Sequence, residues 1–471
     1  MRSQSRAVGL LLGLIALAGA RTTYIRAGRV FDGQQLLEQR IIVIRYGVVQ
    51  ALLPADTPVP DSVEQFDAGD CTLLPGFIDA HVDCLAPPAV FTQEPEKYSW
   101  GKPEAEWQSL YPDNRHRLLE NGITATIESR ATLGSCQSMR SALRKGAIIG
   151  PEFYFPGPVF TAPGGYPVRE LRGQHDLLDN AVFQTRNPEQ ARRKVAALAT
   201  AGVNFITLNF IGHKDAPRLD IGVAQAIITE AHTCGLRALA RVGTEDEAWA
   251  MVRLGADGIE TGTSLGGVSP FASDSLLRVM SARGVSLTPL LAGHWPLATG
   301  HQSPTPDPRP PAPGPAQHMV KRAYLLGVPL CSGSGFPRGN DQCGDGIYQE
   351  LDRLEELGIP RLEALKTVTR NPALELGLGR ELGMIAPGYR ANLVFAAGDI
   401  TRGTLTAERI VRVMLHGETV VENGDVVASQ THGFRRSSLS VFGFPYWDPL
   451  LSWLVGGNVT DYDLFRTGVT A

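Results

Sequence analysis

The chain has 471 residues, 43% of them hydrophobic and 20% charged, with a formal net charge of −4. That length exceeds one compact core and suits a (β/α)8 barrel of ~250–300 residues with a smaller companion domain. Mean hydropathy near zero argues against a disordered or membrane-embedded chain, and the lack of a long basic run argues against a nucleic-acid partner.

In chain order, Arg2 and Arg6 precede an apolar run from Ala7 to Ala20 that ends in Ala18-Gly19-Ala20. A basic start, a run too short to span a bilayer and small residues at its end read as a cleavable signal peptide over 1–20. An uncleaved anchor or a simple N-terminal helix is the alternative. The expected location is therefore secreted or the lumen of the secretory pathway, with no membrane span after signal removal. Asn458-Val459-Thr460 is a glycosylation sequon consistent with secretion.

Residues 22–72 alternate apolar and polar positions with Gly and Asp turns, as in Tyr24 to Val30, Arg40 to Arg45 and Val48 to Leu52. A matching set lies at Asn392 to Ala396, Ile410 to His416, Thr419 to Val421 and Asp425 to Val427. Two β-rich flanks around an α/β centre predict one small β-sandwich completed by both, parts 22–72 and 382–430. The centre, 73–381, repeats strand, loop and amphipathic helix. Strands are expected at 73–78, 123–128, 152–157, 203–209, 236–242, 257–261, 285–291 and 328–333. Helices such as Pro188 to Ala201, Val223 to Cys234 and Glu245 to Leu254 fall between them, with Gly202, Gly235 and Gly255 as stops. Eight such units close a barrel whose chemistry sits on the loops after the strand C-termini.

The run Ser303 to Pro315 is rich in proline and reads as a surface linker or, since it follows strand 7, a lid over the pocket. The extension 431–471 carries Phe442, Phe444, Tyr446, Trp447 and Trp453, expected to pack on the body or form a homo-oligomer contact. The six cysteines show no metal-ligand spacing. Most are expected to be buried thiols, with Cys331 and Cys343 the closest-spaced candidates for a disulfide.

Leu74-Pro75-Gly76-Phe77-Ile78-Asp79-Ala80-His81 resembles the first-strand signature of the metal-dependent amidohydrolase superfamily. Gly150-Pro151, Gly157-Pro158 and Thr161 to Gly165 are similar to the strand-3 region of its imidazolonepropionase-like and Xaa-Pro-dipeptidase-like branch. Gly255 to Glu260 resembles the approach to strand 6, and Asn371-Pro372-Ala373 with Gly383 to Val394 resembles the return to the sandwich. The resemblance runs from about residue 22 to 430. It implies hydrolysis of C–N and related bonds by water held on zinc or another divalent metal. The ligands it implies are His-x-His after strand 1, often a carboxylated Lys on strand 4, one His each on strands 5 and 6, and Asp after strand 8.

Carried over residue by residue, that set collapses. His81-Val82-Asp83 keeps one imidazole, Thr207 stands at the Lys, Arg241 at the strand-5 His, Thr261 at the strand-6 His and Gly335 at the Asp. Tyr166 stands where many relatives have His. Arg is a permanent cation that cannot ligate a metal, while Thr and Gly offer no strong ligand. No cofactor is therefore expected. His213 and Lys214, just beyond strand 4, could rescue one position through an alignment slip.

The strand ends still carry His81, Asp83, Arg241 and Glu260 as candidate catalytic groups, and Glu128, Asn209, His294 and Asp345 as candidate substrate contacts. The favoured reading is a metal-independent acid/base enzyme, an isomerase, lyase or cyclase, acting on a small organic molecule in the barrel mouth. Two alternatives stay open. One is a metal-dependent C–N hydrolase with a rebuilt mononuclear site of His81, Asp83 and either His294 or Asp345. The other is a non-catalytic binding protein in which Arg241 and Glu260 merely fill a vacated cavity.

Overall fold

A computed structural model describes residues 22–84, 114–129, 132–168, 171, 178, 180–212, 216–261, 272–291, 315–335 and 343–427. The signal-like run, His213 and Lys214, His294, most of the proline-rich run, the sequon and the aromatic extension lie outside them. Among the described residues no helix is long and apolar enough to cross a membrane.

The N-terminal flank supplies β1 (Thr22–Phe31), β2 (Leu36–Arg45), β3 (Val48–Pro54), β4 (Glu64–Asp67) and β5 (Thr72–Pro75). The barrel region supplies β6 (Phe77–Val82), β7 (Ile123–Glu128), β8 (Glu152–Tyr154), β9 (Val159–Thr161), β10 (Val182–Gln184), β11 (Phe205–Asn209), β12 (Arg237–Val242), β13 (Gly258–Thr261) and β14 (Ser286–Thr288). The C-terminal flank adds β15 (Leu393–Ala396), β16 (Ile410–Leu415), β17 (Glu418–Glu422) and β18 (Asp425–Val426).

Both flanks enter one nine-stranded sheet, ordered β18-β17-β16-β15-β5-β1-β2-β3, with β4 paired to β1. The join is the antiparallel pairing of β5 with β15, Leu74 opposite Val394. Alternation in β1 puts Ile25 and Ala27 into an apolar cluster shared with Ile42, Val49, Leu73 and Phe395. That shared burial ties the two flanks into one sandwich domain.

Gly76 is the switch between the two domains. Its N–H donates to the Asn392 carbonyl in the sheet, whereas the next N–H, that of Phe77, donates to Gly122 beside the barrel. A Cβ on Gly76 would sit 2.1 Å from Thr124 Oγ1, so only glycine allows the close approach. Barrel strand 1 is accordingly 77–82 and not the expected 73–78. The uninterrupted apolar run hid a change of partner.

The barrel closes through both strand ladders and single hydrogen bonds. Parallel pairing links β6, β7 and β8, and a second run links β11, β12, β13 and β14. Asn204 N–H donates to Phe155 at 2.9 Å to join these runs on one side. On the other, residues 329–332 form the eighth wall: Cys331 N–H donates to Leu287, and Ala80 N–H to Ser332. The eighth strand thus stands as an isolated bridge, Leu287 to Leu330, instead of the full strand expected at 328–333. Strand 3 likewise ends at Tyr154, since Pro156 and Gly157 cannot extend the ladder.

The helices keep their expected places. Pro188–Thr200 starts on an Asn187 cap, Ile221–Thr233 on Asp220, and Glu245–Leu254 on a Thr244–Glu247 capping box. Gly255 ends the last of these at φ +95°, a conformation that favours glycine. All six cysteines are free, so the Cys331–Cys343 disulfide is corrected: Cys331 faces Glu375 from the barrel wall and Cys343 precedes the helix Asp345–Glu356.

Candidate active site at the strand C-termini

Parallel register fixes the site. Asn209, Arg241 and Glu260 are successive partners across β11, β12 and β13, so their side chains leave the same row at the C-terminal end of the barrel. Arg241 Nη2 donates to Glu260 Oε1 at 3.0 Å, and His81 Nδ1 pairs with the same oxygen. All three side chains are largely buried, at 10%, 16% and 8% exposure. A guanidinium, a carboxylate and an imidazole therefore share one desolvated spot.

Electrostatics follow from that sharing. Burial alone would raise the Glu260 carboxyl, but Arg241 and then His81, each also hydrogen-bonded to it, hold it well below the usual carboxylate range. Glu260 is therefore a fixed anion at any physiological pH. With Nδ1 committed to Glu260, Nε2 is the ring nitrogen left to exchange a proton.

Strand 8 presses closely on His81. A Cβ on Gly333 would sit 2.4 Å from His81 Cβ, and the N–H of Gly335 donates to the His81 carbonyl at 2.8 Å. Asp79 Oδ1 accepts from the N–H groups of His81 at 3.1 Å and Ser334 at 2.9 Å, tying strands 1 and 8 beneath the imidazole. Burial pushes the Asp79 carboxyl up to about 6 against these bonds.

The other expected residues have partners of their own. Asp83 accepts from Ser129 Oγ. Glu128, fully buried, accepts from the N–H and the thiol of Cys84, both at 3.1 Å. Burial first, and then Glu128, raise that thiol well above its usual range. Asn209 Nδ2 donates to the Tyr166 carbonyl at 3.1 Å, and Asp345 opens the helix Asp345–Glu356. His294 lies outside the described residues. Sequence reasoning missed Ser129, Cys84 and Glu375. Only Glu375 carried a signal, as an acid inside the apolar run Ala373 to Leu376.

Among the described residues, the donors at the mouth do not form a set that fits a divalent metal. The retained imidazole and its carboxylate neighbour are committed to each other and to a guanidinium whose charge would repel the ion. The Thr261 hydroxyl donates to the Pro289 carbonyl at 2.9 Å. Gly335 has φ +62°, a conformation in which Asp would be strained. Among the described residues, no group of three or more His, Cys, Asp or Glu side chains is arranged to hold a metal ion.

Residues 72–300 match the amidohydrolase family. A 5-methylthioadenosine/S-adenosylhomocysteine deaminase of Syntrophomonas wolfei is 27% identical over 82 residues, 16% of this chain and 19% of that protein, so the chain spans under a fifth of this curated relative's length. Among solved structures, a Xaa-Pro dipeptidase with bound methionine in its active site superposes with a TM-score of 0.69 at 20% identity, covering 84% of this chain and 99% of the other. An ochratoxinase of A. niger superposes with a TM-score of 0.71 at 17% identity, covering 86% and 96%. At these identities the superpositions establish a shared fold, the barrel with its sandwich.

Proposed function

We propose that this chain, whose residues 72–300 match the amidohydrolase family, is a metal-independent acid/base enzyme acting on a small organic molecule in the barrel mouth. The observation that carries the reading is the shared Glu260 carboxylate, bonded at once to Arg241 and His81. Replacement of metal ligands by inert side chains would leave no such arrangement. Glu260 orients the imidazole and stabilises its protonated form, so His81 Nε2 takes a proton from a carbon or oxygen acid of the ligand. The guanidinium of Arg241 lies beside the developing charge and offers it N–H donors. The imidazolium then returns the proton at another atom, completing an isomerisation, or to a departing group, completing an elimination or a cyclisation. No co-reactant is required, and proton and charge balance close within the His81–ligand pair.

A panel of small carbonyl and carboxylate compounds in D2O, followed by NMR for deuterium uptake, isomer formation or elimination, tests this. Turnover that survives chelator and is lost in His81→Gln and Glu260→Gln supports the reading. Turnover abolished by chelator and restored by zinc overturns it in favour of a C–N hydrolase with a rebuilt site, the reading that the names of the dipeptidase and the deaminase favour. Entry into the secretory pathway, proposed from the N-terminal run, is tested separately: N-terminal sequencing of secreted protein is expected to begin at Arg21.

A further inference from the structure

Glu375 ends the short helix Arg370–Glu375 and is 6% exposed. Its carboxyl enters the barrel from the end opposite to His81. Oε1 accepts from Ser286 Oγ at 2.5 Å and lies 3.4 Å from Thr288 Oγ1, and the Cys331 thiol bonds to the same carboxyl. Gly258 makes the room, for a Cβ there would sit 2.8 Å from Oε1 and 2.6 Å from Ser286 Oγ. These contacts follow the rows of the site. Gly258 is the register partner of Ser286, and Glu260 that of Thr288, so the carboxyl spans the row beneath Glu260 and reaches the row of Glu260 itself.

We infer that Glu375 is a positioning residue of the mouth cluster, coupled through the barrel interior to Glu260 so that its own protonation sets the charge the cluster works against. The inference rests on the acid/base reading for its functional meaning, though not for its electrostatics. The charged and titratable groups facing Glu375 are Glu260 and Asp257 from β13 and its approach, and Cys331 from strand 8; β14 presents only hydroxyls. Glu260, the register partner of the Thr288 that lies against the carboxyl, is the larger of the two like charges opposed to it, ahead of Asp257. Burial pushes the Glu375 carboxyl up to about 7, the Ser286 and Thr288 bonds oppose that rise, and Glu260 and Asp257 add to it. Near neutrality the carboxyl thus passes from neutral to anionic within the barrel. Once anionic, it sets a second negative charge against Glu260 from inside the barrel.

Coupling between two charges is reciprocal, so it is read at either end. Infrared difference spectra of the full chain between pH 5 and pH 9 should show the carbonyl stretch of a neutral buried carboxyl disappearing with a midpoint near 7. Asp79, at about 6, contributes a second component; the component near 7 should be absent from Glu375→Gln, and in Glu260→Gln its midpoint should fall by about half a pH unit or more. If Glu375→Gln fails to fold, Glu375→Asp replaces it, and an unchanged band there overturns the assignment to this residue. No component near 7 that disappears with Glu375→Gln, or an unmoved midpoint of that component in Glu260→Gln, overturns the coupling. The outcomes separate the two claims: a shifted midpoint with turnover indifferent to His81→Gln leaves the coupling and sinks the function, and the reverse pattern does the opposite.

Discussion

Glu152 offers a test of the energetics that hold the barrel to its sandwich. Its carboxyl, at the start of β8, pairs with Arg390, accepts from Tyr154 Oη and Asn392 Nδ2, each at 2.7 Å, and lies near His416. Burial opposes its ionisation, but Arg390, His416 and the two hydrogen bonds bring it from 4.5 to about 2. The unfolded carboxyl takes its proton near 4.5 and the folded one near 2, so between those values the unfolded state binds more protons and stability falls as pH falls. The depression corresponds to about 3 kcal/mol of stability, present above pH 4.5 and lost on descent through about 2. Glu152→Gln, which keeps the shape and loses the charge, is expected to forfeit most of that at pH 7 and nearly nothing at pH 2. Urea unfolding of both proteins at a series of pH values measures it. A difference between wild type and Glu152→Gln that stays constant from pH 7 to pH 2 refutes the reasoning.

Glu375 has the opposite sign. Its folded value of about 7 exceeds the unfolded 4.5, so wild type should lose about 3 kcal/mol relative to Glu375→Gln as pH rises from 4.5 through 7, seen by the same unfolding series. Gly258→Ala should destabilise by about 2 kcal/mol through its clashes, and Gly258→Ala with Glu375→Ala should recover part of that loss; strict additivity in a double-mutant cycle contradicts the packing described. Arg241→Met leaves the buried Glu260 without its guanidinium and should cost about 3–5 kcal/mol at pH 7, while Glu260→Gln in the same background should restore stability. Gly335→Asp, which puts back the carboxylate of the usual ligand set, should lower stability by about 1–2 kcal/mol through its positive φ and bring no metal with it, as read by thermal unfolding and elemental analysis.

Much of the fold was legible because it rests on local periodicity. The alternation of β1 and β2 and the glycine stops at 202, 235 and 255 express short-range rules. The handover at Gly76 was not legible, since a glycine needed for close approach to Thr124 looks the same in sequence as a turn glycine. Strand 8 was overestimated because apolar Val328 to Cys331 reads as a strand, although only one bridge and a few single bonds hold it. At the site, residue types at the strand ends pointed to His81, Arg241 and Glu260. Which charges meet there depends on parallel register, which sequence does not display. Glu375 escaped notice because its partners Ser286, Thr288 and Cys331 are more than 40 residues away and carry no motif.

Metal content tests the central claim most directly. Full-length protein purified without chelator and measured by plasma mass spectrometry should carry well under about 0.1 divalent ion per chain, because the mouth presents Arg241 and a committed Glu260–His81 pair instead of open ligands. About one or more tightly bound zinc, manganese or iron ions per chain, lost on His81→Gln, would contradict the account and return the site to metal-assisted hydrolysis.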